Sequence, residues 1–191
     1  MRPRLGSSTL QSNFLTEPVL VDPTPSSTAS AAAVAVWNAL QPHIAASALG
    51  PFQRNCTTLD MSQRGFWRMV RVRDTSKGHV MVFVSVNGAA CGGADKFAEA
   101  KAAIEALFDK GGAGESAGVT TLFVQDNDGL NDFCENEPEL LLGEPTMVET
   151  LSGLDFEISH DAFFQTNRAA AEVLYGRIAD WCDTTGGETT W

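Results

Sequence analysis

The sequence predicts an α+β domain, an antiparallel sheet with flanking helices, on three observations. Two runs rich in β-branched and aromatic residues, 66–73 and 80–86, are separated by a short polar turn. Residues 94–110 and 167–182 repeat apolar side chains at helical spacing. The strand-like segments follow one another through hairpin turns more than through regular strand–helix crossovers. The composition of the 191 residues, 43% hydrophobic and 19% charged, suits a chain with a sizeable core.

Residues 1–27 hold Pro3, Pro18, Pro23 and Pro25 among many Ser and Thr, which predicts an extended lead-in with a short strand near 14–21. Ser26, Ser27 and Thr28 can cap a helix whose stripe is Val34, Trp37, Ala39, Leu40 and Ile44, with Pro42 expected to kink or end it. In Val80–Val86 the four valines fall on one face and Met81 and Phe83 on the other. On the preceding strand, Trp67, Met69, Arg71 and Arg73 are expected to share a face. The helix over 94–110 sets Phe97, Ala100, Ile104 and Leu107 against Glu99, Lys101 and Glu105, and glycines 111, 112 and 114 end it. Residues 119–124 read as a third strand, 125–138 as an acidic loop, and the stretch beyond as short extended pieces. A hairpin over 147–151 and 154–159, turned at Ser152-Gly153, then leads through Phe163 and Phe164 into a last helix bearing Ala171, Leu174, Tyr175, Ile178 and Trp181.

Charge narrows the functional classes. With 13 Lys+Arg against 24 Asp+Glu the net charge is -11, which argues against a surface that coats nucleic acid all over. Six of the basic residues nonetheless cluster as Arg54, Arg64, Arg68, Arg71, Arg73 and Lys77. An arginine pair beside an aromatic on one strand face can hold phosphates and stack on a base; the competing reading is a solvated strand edge paired with the acidic loop. Residues 29–49, the longest apolar stretch, are interrupted by Asn38, Gln41, Pro42 and His43, so a spanning helix is not expected. Cys56, Cys91, Cys134 and Cys182 form no C-x-x-C, which suits unlinked thiols in an intracellular, reducing setting. The amino-terminal residues lack the apolar core of a secretory signal.

Isolated chemical motifs are weak. Asp126-Asn127-Asp128-Gly129 opens like a calcium loop, but Pro138 stands where the twelfth, acidic ligand belongs, so no metal is expected. His43, His79 and His160 fall in no hydrolase or zinc pattern, and the glycine-rich pieces lack the G-K-[ST] of a phosphate loop.

One long stretch is specific. Phe156-Glu157-Ile158-Ser159, then Ala162-Phe163-Phe164-Gln165-Thr166-Asn167, then Ala170-Ala171-Glu172-Val173-Leu174-Tyr175, closely resembles the F-x-I-S…A-F-F-Q-x-N…A-A-E-x-L-Y signature of the RNA uridine C5-methyltransferases. Gly65-Phe66-Trp67-Arg68-Met69-Val70-Arg71-Val72-Arg73 and Gly78-His79-Val80-Met81 resemble, in the same order, a segment of the family's eukaryotic tRNA branch. His160-Asp161 and Arg168 depart from the family's usual Pro-His and Thr.

The resemblance implies an S-adenosylmethionine-dependent enzyme that methylates C5 of uridine in RNA, with tRNA as the expected partner. A cysteine of the family attacks C6 of uracil, because C5 is a poor nucleophile until so activated, and a carboxylate helps remove the C5 proton. Both lie downstream of the matched signature, as does the glycine-rich cofactor loop, and none of the four cysteines here matches the nucleophile. The chain is therefore expected to be a truncated piece, inactive by itself: lead-in 1–27, central α+β domain 28–159, and the start of a Rossmann-like methyltransferase domain at 160–191. The alternative is a non-catalytic RNA- or partner-binding module. Gln165 is the one cofactor-pocket residue the resemblance transfers, its amide able to donate and accept; the competing role is a cap for the helix near Asn167. Arg68, Arg71 and Arg73 are the candidate RNA contacts.

Overall fold

A computed structural model describes residues 12–13, 29–54, 57–132 and 134–184. The strand expected near 14–21, Cys56 and the tail 186–191 lie outside them. Five strands form one sheet in sequential order: β1 (Ser12–Asn13), β2 (Trp67–Asp74), β3 (Val80–Val86), β4 (Thr121–Asp126) and β5 (Glu139–Gly143). Helices α1 (Ala31–Ala46) and α2 (Ala94–Phe108) precede β2 and β4, and a separate hairpin, β6 (Thr146–Leu151) with β7 (Leu154–Ser159), leads to α3 (Arg168–Thr184).

The α+β class holds, with one correction to the sheet: β3 and β4 run parallel, Met81 opposite Thr121 through Val86 opposite Asp126. The intervening α2 is a true crossover, which a parallel pair requires and a hairpin cannot supply. The other pairs are antiparallel.

β3 is buried along all seven residues. Its valines, with Val70, Val72, Leu122 and Val124, pack against Ala33, Val36, Trp37 and Leu40 of α1 and Ile104, Leu107 and Phe108 of α2. Met81 and Phe83, with Met69 and Phe123, face the opposite way onto Met147 and Ile158 of the hairpin. The sheet is thus the middle of three layers, helices on one side and hairpin on the other.

Local chemistry shifts two boundaries. Ser30 caps α1, its hydroxyl accepting the Ala33 N–H at 3.1 Å, while the 26–28 cluster lies outside the described residues. Pro42 lies inside this helix, which runs on to Ala46. The expected face on β2 also divides, because the register shifts between Trp67 and Met69. A bulge adds one residue and reverses the alternation. Trp67 consequently packs with the helix-side core, while Met69 joins the hairpin side.

Gly143, at φ 76°, ends β5 where an added Cβ would sit 1.7 Å from the Thr120 carbonyl oxygen. Gly153, at φ 81° in the hairpin turn, has open space around it. G153A is therefore expected to cost about 1 kcal/mol, the left-handed backbone alone, and G143A more than about 3 kcal/mol, since backbone must move as well. Urea unfolding of the two variants measures the difference.

Candidate functional site

The six clustered basic residues separate once placed. Arg64 is 3% exposed and donates to the carbonyls of Gln53 and Arg54, both at 3.2 Å, and of Thr58. Arg54 pairs with Asp132 of the acidic loop, and Lys77 with Asp155 at 2.6 Å. Arg68 is 4% exposed and gathers three carbonyls of that loop: Asn127 at 3.1 Å, Gly129 at 2.7 Å and Asn131 at 2.7 Å. Its guanidinium also lies 3.8 Å from the Phe52 ring centroid. Arg68, expected as an RNA contact, is instead turned inward, its two terminal nitrogens holding the loop while its buried Nε–H has no partner among the described residues. Burial lowers its pKa to about 10, which leaves it charged at neutral pH. The calcium-like stretch is organised by a guanidinium, and among the described residues no group of three or more His, Cys, Asp or Glu could hold a metal.

Arg71 and Arg73 keep the exposure that Arg68 lacks; both are half-buried on the hairpin side of β2. Arg71 stands 4.6 Å from the Phe83 ring centroid, and Arg73 donates to the Ser159 carbonyl at 3.2 Å. Burial lowers both pKa values, opposed in each case by Asp161 nearby. His160 stacks on Phe83 at 5.6 Å and 26° and lies 5.0 Å from Phe123. The turn expected at His160-Asp161 is therefore anchored on aromatics. Arg71, Phe83, His160 and Asp161 line an open groove of about 540 Å³, whose far wall includes Glu135 and Glu137.

Gln165 lies beyond this turn, exposed, in a small cleft shared with Arg73, Glu149, Phe164 and Arg168. The helix cap belongs to another residue: the Asn167 side-chain oxygen accepts the Ala170 N–H at 3.1 Å. Phe164 packs on the hairpin-side core and meets Phe156 at 5.8 Å, whereas Phe163 is 84% exposed. The cleft is only about 40 Å³, against the roughly 300 Å³ or more of a cofactor-sized pocket. Around Gln165 itself the described residues therefore enclose no cofactor-sized pocket.

Glu149 is absent from the sequence reading. It is 7% exposed, and its carboxylate accepts from the Ser76 N–H at 3.1 Å, the Ser76 hydroxyl and the Thr150 N–H at 2.9 Å. Its signal was available: Met147, Glu149 and Leu151 occupy the inward phase of β6, where an acid is out of place without partners.

Set beside solved structures, the fold matches the crystal structure of Pyrococcus abyssi tRNA (uracil-54, C5)-methyltransferase in complex with S-adenosyl-L-homocysteine. The TM-score is 0.64, over 92% of this chain and 41% of that one, at 16% identity, so the likeness is one of fold. Sequence carries it further. The chain is 36% identical over 127 residues to mouse tRNA (uracil-5-)-methyltransferase homolog A, and 33% identical over 117 residues to human homolog B. These matches cover 65% and 61% of the chain but 20% and 23% of the relatives, so it spans about a fifth of their length. No family model matches. By sequence the chain is thus similar to one part of the tRNA (uracil-5-)-methyltransferase homologs A and B.

The placement of Arg68 is testable. R68K keeps the charge but not the fork that reaches three carbonyls, and it should lower unfolding stability by about 2 kcal/mol. Amide exchange at Gly129 should rise with it, while Val82 and Val84 change only as far as global stability does.

Proposed function

We propose that this chain is the central part of an S-adenosylmethionine-dependent tRNA uridine C5-methyltransferase, with Gln165 on the rim of the cofactor and target-base pocket and the Arg71–Arg73 face toward RNA. The observation that carries the reading is the folded form of the family signature: Gln165 stands exposed beside Arg73 and Arg168, on a turn that Phe164 pins to the core. An exposed amide on a pinned turn is preorganised for a ligand. Bound S-adenosylmethionine would supply the methyl group. The residues here position RNA and line one side, and the family's nucleophile, base and glycine-rich loop match no residue of this chain. Residues 28–159 act as the central domain, and 160–191 lead into the methyltransferase domain.

Arg71 and Arg73 supply the RNA contact. Two guanidiniums on alternate residues of one strand project in the same direction, and planar forks suit phosphate oxygens and base faces. The neighbouring carboxylates Glu135, Glu137 and Asp161 favour an unpaired, locally bent strand over a regular duplex lying across the groove.

Fluorescence anisotropy of labelled tRNA tests this on the 191-residue chain. Binding at low salt should weaken as salt rises, and R71E/R73E should lower the affinity at least about tenfold while making the log–log salt slope shallower by about 2. Equal affinity and slope in the double variant, with its fold intact by circular dichroism, would remove the arginine face from the proposal. Incubated with radiolabelled S-adenosylmethionine and unmodified tRNA, the chain alone should transfer no label.

A further inference from the structure

His79 closes the turn between β2 and β3 and is half-buried. Its Nδ1 accepts the backbone N–H of Val148 in β6 at 3.0 Å, across 69 residues of sequence. This bond requires the tautomer with its proton on Nε2. Among the described residues β6 pairs with β7 alone, so its other edge presents backbone donors that need acceptors. The imidazole meets that edge, and the next residue, Glu149, grips Ser76 in the same turn.

We propose that His79 is a positioning residue for Gln165: by fixing the register of the β6–β7 hairpin on the sheet, it sets where the Gln165 turn stands. The inference rests on the reading of Gln165 given above. The apolar contacts beneath the hairpin, Met147 and Ile158 on Met69, Met81, Phe83 and Phe123, hold it down but do not fix its position. Methionines are unbranched and adapt to more than one arrangement. Directional bonds supply what they lack. His79 pins Val148, Met147 pairs with Ile158 across the hairpin, and Arg73 holds the carbonyl of Ser159. Gln165 follows six residues later, with His160 and Phe164 already seated on the same core. A slip of one residue would move Met147 off the core and strip Glu149 of its donors, so the buried face and Glu149 select the register together with the Val148 N–H bond.

The test uses the isotopically labelled 191-residue chain and solution NMR, comparing H79L, which lacks the acceptor, with H79N, whose Oδ1 replaces Nδ1. In H79L the Val148 amide should exchange about tenfold faster, the worth of one hydrogen bond. Residual dipolar couplings from β7 and from 163–167 should no longer fit one rigid frame with β2 and β3. H79N should restore both. H79L couplings that still fit the wild-type frame, or an H79N variant that behaves as H79L does, would overturn the proposal. Should H79L fail to fold, H79Q takes its place, being polar but carrying its acceptor one bond too far out, with the same two outcomes. Neither RNA nor cofactor enters these measurements, so failure of the arginine-face reading would show in the tRNA titration and leave them unaffected.

Discussion

Everything in this fold hangs on a strand with no exposed face. β3 must satisfy a helical layer through its valines and a hairpin layer through Met81 and Phe83, and its neighbours on either side inherit the same demand. A helix-only covering would leave Met69, Met81, Phe83 and Phe123 in water, at a cost of roughly 1.5–3 kcal/mol for each large side chain. The β6–β7 hairpin removes that cost. It also carries the family signature at its end, so the element that completes the core is the one that presents Gln165.

The second constraint is what happens to positive charge. A basic cluster in an acidic chain invites a nucleic-acid reading, yet Arg64 and Arg68 are turned inward as backbone organisers. A buried guanidinium has donors enough to satisfy several carbonyls in irregular backbone, where no ladder is available to do so. The loop at 127–131 is held by a cation that belongs to the protein. Arg71 and Arg73 differ because the strand alternation sends them to the hairpin side, near the rim of that layer.

Much of this was legible in the residues. The alternation in β3, the amphipathic pattern of α2 and the Ser152-Gly153 turn are local signals, and each element forms where its pattern stands. The parallel β3–β4 pair was not legible, because strand direction depends on where α2 carries the chain. Nor was the bulge after Trp67, a single inserted residue that leaves no compositional mark but moves the tryptophan to the other face. Around the site, the signature marked Gln165 and its turn. Glu149 and the His79–Val148 bond depend on partners about 70 residues away, and a neighbour at that range is invisible to any reading of spacing.

The attachments of the hairpin have one more meaning. Those to Lys77, Arg73 and His79 span 78, 86 and 69 residues, whereas β6 and β7 meet each other across a two-residue turn. A short hairpin closes in about 1–10 μs, while long loops pay a larger entropy of closure before any contact repays it. The hairpin is thus a ready-made piece fitted onto a sheet built earlier in the chain. Tension applied from the carboxyl-terminal side would lift it first, turning a pinned glutamine into a loose one before the helical layer is disturbed.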